Sequence, residues 1–437
     1  VTTQPQHDLD TAPRPRTGDA AVSGALARVR RAAHGFRTML VALPTPHRDV
    51  EPIARGTLSK VLLLWAGGRA INLALLGIFY QIARVSGWGF GPDKNPITTF
   101  LNFLSDWDGA RYGRISQIGY PPSLPMNVAG VIQPNDWAFL PVFPGLERAV
   151  SDLLGVPWQL AGVAISIAAS AGATLLLYIL LRRVTSAHAS WWAVVLFTLS
   201  PLSFIFVLAY AESLYLLMLF GMLILAVDRR YGWIAPIGLI AAFTRPGVLA
   251  LSLGLGIVFV VRFVRRHIDP FPLRQMIGLI VSGLVMAIAG LAWQYIAEAV
   301  TGTPHAYVRT ETAWWIPFIG PGDFVPMTPW FRLFGTYMGF LGVLVVLALM
   351  IGFVLWMRSP QVRRLGLEIV AYSASYGLYL FAVFLPQQSV FRLAVPLAPL
   401  LADERLSSTP ARRGWGIAIC LVGQVVAILL LWTTGWP

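Results

Sequence analysis

One cysteine, Cys420, and two lysines, Lys60 and Lys94, are all that a chain of 437 residues contains of these types. A lone cysteine excludes an internal disulfide and a cysteine-built metal site. Charge is scarce as well: Asp, Glu, Lys and Arg make up 12% of the chain, 56% of it is hydrophobic, and the mean hydropathy is +0.67. Soluble domains carry roughly 25% charged residues, so this balance excludes a soluble globular fold and indicates a polytopic membrane protein. HExxH, GxSxG, a Walker loop and a GxGxxG turn between strand and helix are all missing, which leaves cytoplasmic nucleotide chemistry without support.

What charge there is has a pattern. The net charge of +13 comes from arginines in a basic N-terminal segment and in short clusters flanking apolar runs. That is the footprint of the positive-inside rule, and it points away from nucleic acid as a partner. Residues 1–58 are expected to form a cytoplasmic disordered tail and a basic amphipathic helix at the membrane surface, with no short apolar signal core near the start. The transmembrane domain is expected over 59–437. The preference for Arg, Ala, Gly and Pro suggests a GC-rich, actinobacterial-type bacterial source.

A membrane-spanning helix needs about 20 mostly apolar residues. Candidates lie near 60–83, 158–181, 189–209, 211–228, 274–299, 332–357, 366–385 and 414–434. The stretch 136–154 is apolar but broken by proline and charge, and is expected at the outer surface or re-entering the membrane. Residues 233–262 form two short runs around "TRPG", and 390–402 is a short run with Pro396 and Pro399. The expected fold class is an all-α bundle of about 9–11 transmembrane helices with a large first outer loop. Broken helices at membrane depth are tolerated where protein or a water-filled cavity satisfies the freed backbone, so a cavity is expected too. Counting arginines puts "RVRR", "LRR", "DRR", "RFVRRH", "MRSPQVRR" and "DERLSSTPARR" on the cytoplasmic side, provided the runs around "TRPG" dip in from there and return. The opposite face then collects every unusual polar stretch.

On that face, "FLNFLSDWDGARYGRISQIGY" holds Asp106 and Asp108 with Trp107, Tyr112 and Tyr120. Two carboxylates two positions apart suit a divalent cation or a general base, and equally a solvated loop. Arg111 and Arg114, one turn apart, suit lipid headgroups. Tyr210 and Glu212 fall at the outer turn between two apolar runs, where a charge faces a cavity, a partner or the water interface. Arg245 interrupts an apolar run beside Pro246 and Gly247, and its fork of donors suits a phosphate, with snorkelling to the interface as the bland alternative. Arg392 invites the same two readings, and Arg69 suggests a structural partner for a buried acid. Arg309 and Glu311 lie in an outer segment with His305, Trp314, Trp315 and Trp330, which either caps a cavity or rides on the interface.

Taken in order, "WDGARYGRISQIGY" from Trp107, "AFLPVFPGLERAV" from Ala138, "SPLSFIFVLAYAESLYLL" from Ser200, "GLIAAFTRPGVLAL" from Gly238 and "TGTPHAYVRTETAWW" from Thr301 resemble the PIG-V family. This is the family of GPI mannosyltransferase 2 and its bacterial relatives, in the GT-C superfamily of membrane glycosyltransferases. The resemblance covers about residues 100–320, with a looser echo around Arg392. It implies a mannosyl residue moved from a polyprenyl-phosphate donor to a lipid or glycan acceptor at the outer face of the plasma membrane. The family's Trp-Asp falls on Trp107 and Asp108, making Asp108 the expected general base of an inverting displacement. Its Tyr-x-Glu-Ser falls on Tyr210, Glu212 and Ser213. Its Thr-Arg-x-x-Gly falls on Thr244 and Arg245, but Pro246 and Gly247 depart from the pattern. Asp106, Trp107, Tyr112, Tyr210, Glu212, Arg245, Arg309 and Arg392 are the expected substrate-binding residues. Arg245 and Arg392 would face the leaving phosphate. No cofactor is expected; a divalent cation on Asp106 and Asp108 is the disfavoured variant. The competing readings are a transporter or flippase of lipid-linked sugars, for which no internal repeat speaks, and a transferase of another sugar such as arabinose.

Overall fold

The computed structural model describes residues 52–87 and 99–435; the expected tail and amphipathic helix lie outside these up to residue 51. Among the described residues the protein is all-helical, with no strand. The labelled helices are α1 (Thr57–Ser86), α2 (Asp108–Ile118), α3 (Val142–Leu154), α4 (Trp158–Val184) and α5 (Ala187–Thr198). They continue with α6 (Glu212–Val227), α7 (Ile234–Ala242), α8 (Val248–Val264), α9 (Leu273–Thr301) and α10 (Ala306–Ala313). The last three are α11 (Pro329–Met357), α12 (Leu367–Val383) and α13 (Pro410–Ala427), the last running into a π turn.

Five helices among the described residues are long and apolar enough to cross a membrane: α1, α4, α9, α11 and α13 with its π turn. Four shorter apolar stretches pack among them: α6, α8, α12, and α7 with its leading turn. In lipid there is little hydrophobic drive between helices, so small residues that let backbones approach closely do much of the selecting. The buried face of α4 carries Ala161, Gly162, Ser166, Ala169, Ser170 and Ala173, and against it lies α6, its most extensive partner. Peripheral α11 is the contrast, with 11% of its apolar window buried. It presents Phe340, Leu341 and Leu355 outward, as a lipid-facing helix does.

The expected span over 189–209 breaks early, because α5 ends at Thr198 and Pro201 follows. The carbonyls freed there are taken by side chains from other helices. Arg69 donates to Ser203 O at 3.0 Å and Thr198 O at 2.9 Å, and Gln424 donates to Leu199 O at 2.6 Å. Asn72 ties the same region together through Ser203 Oγ and Gln424 Oε1. Arg69 is therefore not the partner of a buried acid: its guanidinium caps a broken helix, as backbone at membrane depth requires.

Several arginine-rich helix ends are joined by polar contacts. Arg183 pairs with Asp228 at 2.8 Å, Arg229 with Asp269 at 2.7 Å, and Arg405 reaches Ser359 at 3.2 Å. Glu212 begins α6 and Asp228 follows its end. At 1.5 Å per residue these acids are about 24 Å apart, so the second polar centre lies at the far end of the same helix.

Candidate functional site

Four charged residues far apart in sequence meet at that far end. Asp108 opens α2, Glu212 opens α6, Arg245 sits in the break between α7 and α8, and Arg392 lies on the short turn Val390–Leu393. Arg392 Nη1 donates to Asp108 Oδ2 and, at 3.3 Å, to Glu212 Oε1; Arg245 Nη1 reaches the same Glu212 oxygen at 3.0 Å. The side chains of Glu212 and Arg245 are 3% and 9% exposed, those of Arg392 and Asp108 15% and 21%. The Asp108 end is thus the open one. Two carboxylates and two guanidiniums cancel in charge, which is how such groups are tolerated at this depth.

Local backbone explains the placement. Trp107 adopts φ 54° and ψ −116°, an unusual conformation for a residue with a side chain, and turns the chain so that Asp108 starts a helix. Its N–H donates to Asp106 Oδ1 at 2.8 Å and its indole reaches Trp432 O at 3.4 Å. Asp106 is therefore a loop-former held by its neighbour, and burial pushes its carboxyl up. The two carboxylates have different partners, Trp107 N–H and Arg392, and among the described residues no three His, Cys, Asp or Glu side chains gather as metal ligands do.

The break at Pro246 and Gly247 is built for Arg245. Gly247 has φ 134°, and a Cβ there would meet the Tyr215 hydroxyl at 2.9 Å and the Tyr376 ring at 3.3 Å. Only glycine suits both the conformation and the space. Thr244, fully buried, bonds back to Ile240 O and finishes the turn.

Aromatic rings wall the cluster. Tyr210 accepts from Asp108 N–H at 3.3 Å, lies beneath the Arg392 guanidinium at 5.5 Å and meets Trp432 edge-on. Tyr112 packs edge-on against Phe139 and Phe143, within the electrostatic reach of all four charged residues. Both tyrosines are buried, so they shape the wall rather than project into open space.

Three further arginines take no part in the ion pairs of this cluster. Arg309 is exposed on α10 and lines a separate cavity of about 880 Å³ with His305, Thr312 and Asp323, a cavity that Asp108 does not line. Positions 309 and 311 lie about 200° apart around a helix, so it is Glu311 that faces inward. Arg111 and Arg114 do not await headgroups: they hold the buried Asp136 at 3.2 and 3.0 Å. That pairing anchors the loop between α2 and α3. Tyr120, Trp137 and Trp293 pack ring to ring beside it, and Asn135 bonds Thr310 at 3.0 Å. Sequence reasoning missed Asp136, Tyr307 and the tyrosines of α12. The signals were the spacing of four between Tyr307 and Glu311, and the run Tyr372, Tyr376, Tyr379 on one helical face.

Beside Arg392 the surface becomes almost wholly apolar. A groove of about 630 Å³ starts at Phe391 and Ala394, the residues flanking the arginine's turn, and continues to Leu400, Leu401 and Trp356. Gly423, Val426 and Leu430 of α13 and its π turn form the opposite bank.

Together these features define an all-helical protein, several of whose helices suit a membrane, with a charge-balanced centre that opens beside an apolar groove. No protein-family model and no curated protein matches the chain.

Proposed function

We propose that the protein is a multi-pass membrane glycosyltransferase of the GT-C type, similar to the PIG-V family. It moves a mannosyl residue from polyprenyl phosphate to a lipid or glycan acceptor at the outer face of a bacterial plasma membrane. The observation that carries this reading is the position of Arg392, with a carboxylate on one side and a lipid-shaped groove on the other. A polyprenyl phosphate has the matching layout, a long apolar chain ending in one anionic group. The chain would lie along the Phe391–Leu401 groove, and the phosphate would reach Arg392 and then Arg245.

The charge balance gives the chemistry an order. Arg392 is shared between Asp108 and Glu212, so a phosphate oxygen competes with Asp108 for it. Each phosphate–guanidinium bond formed loosens Asp108, the half-open carboxylate that the reaction needs as base. The acceptor hydroxyl oxygen then attacks the anomeric carbon while its proton passes to Asp108. The bond from that carbon to the phosphate oxygen breaks, and its electron pair leaves on the phosphate, which Arg392 and Arg245 stabilise. One displacement converts a β-linked mannosyl phosphate into an α-mannoside. Glu212 keeps both guanidiniums in place throughout.

The test supplies proteoliposomes with radiolabelled polyprenyl-phosphate mannose and follows label into lipid or glycan. Wild type transfers label, and Asp108→Asn, folded as judged by gel filtration, does not. Near-normal transfer by Asp108→Asn overturns the base assignment. A wild type that consumes no polyprenyl-linked sugar overturns the transferase reading, and movement of intact donor across the bilayer would favour a flippase.

A further inference from the structure

Asp108 and Glu212 are held by arginines and Asp106 by the Trp107 N–H, but one further carboxylate near them has no such partner. Glu311 projects from the inner face of α10 within electrostatic reach of Asp108 and Arg392, and among the described residues no cation is paired with it. Its hydrogen-bond donor is the Tyr307 hydroxyl, one turn earlier on the same helix. Tyr379 of α12 and Tyr112 of α2 are the titratable groups that face this pair from the neighbouring helices. The opposite face of α10, with Arg309 and Thr312, borders the open outer cavity. The helix therefore stands between the charged centre and the outside.

We propose that Glu311 is the proton exit of this site, receiving the proton from Asp108 after each transfer and releasing it toward the outer surface. The inference rests on the transferase reading. A base that has taken the acceptor's proton must lose it before the next turnover. Protonated Asp108 cannot keep its ion pair with Arg392, and the pair re-forms once the proton has gone; a proton on Glu311 breaks no ion pair. The step balances: one proton leaves the Asp108 carboxyl, crosses through water to the Glu311 carboxylate, and passes from there to bulk water. The environment suits the task. Burial, with a smaller push from Asp108, holds the Glu311 carboxyl up at about 7, against the pull of the Tyr307 hydrogen bond and of Arg392. A carrier of protons works best near the ambient pH.

Transfer is measured in proteoliposomes between about pH 5.5 and 8.5. In wild type, turnover rises with pH through a limb near 7, because only the charged form of Glu311 accepts a proton. Glu311→Gln should lower kcat about tenfold or more and abolish that limb, leaving KM for the donor within about twofold. Glu311→Asp should restore a limb, and Tyr307→Phe, which removes the bond favouring the charged form, should move it to higher pH. A Glu311→Gln enzyme with wild-type kcat and the same limb overturns the proposal. An infrared pH titration of the purified protein needs no turnover: a protonated-carboxyl band should fade near pH 7 in wild type and be missing in Glu311→Gln. If that band is present but wild type consumes no donor, the transferase reading fails; if the band is missing from wild type, the proton exit fails.

Discussion

Replacing Glu147 by glutamine should remove most of a pH dependence from the protein's stability. Glu147 lies on the amphipathic α3, fully buried, with neither carboxylate oxygen hydrogen-bonded among the described residues. It presses on α4 where a methyl group at Gly162 would collide with its Oε1, and near Ala209, the residue before Tyr210. Burial raises its carboxyl from 4.5 to about 9. Between those values the folded protein holds one more proton than the unfolded chain, so stability is greatest below pH 4.5 and falls as pH rises toward 9. The slope approaches 1.4 kcal/mol per pH unit, or roughly 4 kcal/mol between pH 5 and pH 8. Glutamine has the same shape and no proton to lose. Its unsatisfied amide shifts the whole curve by a constant and leaves the slope to be compared. Thermal unfolding in detergent, followed by tryptophan fluorescence from pH 5 to 8, should show the variant gaining several degrees on wild type across that range. Parallel curves for the two proteins would refute a buried, neutral Glu147.

Other outcomes follow from the same geometry. Arg392→Ala should reduce transfer by about 10²–10³ through loss of the phosphate partner, and in a folded preparation Arg392→Lys should recover part of it; an unchanged rate for Arg392→Ala would remove the arginine from the chemistry. Gly247→Ala combines a strained φ with the Tyr215 hydroxyl at 2.9 Å, so it should cost about 1–3 kcal/mol and lower the melting temperature. Double replacement of Arg111 and Arg114 by alanine strands the buried Asp136 and should destabilise the loop between α2 and α3 by about 3–5 kcal/mol, seen as faster proteolysis near Trp137. Gly423→Leu, which fills the apolar groove, should raise KM for a long-chain donor far more than for a short-chain one.

The sequence made some of this legible and hid the rest for physical reasons. Apolar runs announced α1, α4, α9, α11 and α13, because lipid demands length and hydropathy, and both are local properties. The break after Thr198 was hidden: Pro201 sits in a run that stays hydrophobic, and what satisfies the freed carbonyls, Arg69 and Gln424, comes from distant helices. Residues 106, 108, 210, 212, 245 and 392 stood out as polar groups in apolar surroundings, and five of them do gather. Which carboxylate faces which arginine was not legible, since it depends on the Trp107 turn and on the Gly247 break. Arg309 and Glu311 carry equal weight as letters, and only the helix direction separates them.

The pairing of charges across the chain also has a consequence for biogenesis. Glu212 and Arg245 lie 33 positions apart and form a local pair. They can neutralise each other as the α6–α8 segment leaves the translocon, so neither need meet lipid alone. Asp108 has to wait for Arg392, 284 residues later. Until the ribosome has delivered that turn, the half-made protein carries an unpaired acid at the start of α2 and no finished centre. The charged site therefore doubles as a late checkpoint of assembly, and truncations before residue 392 should be recognised by membrane quality control as incomplete.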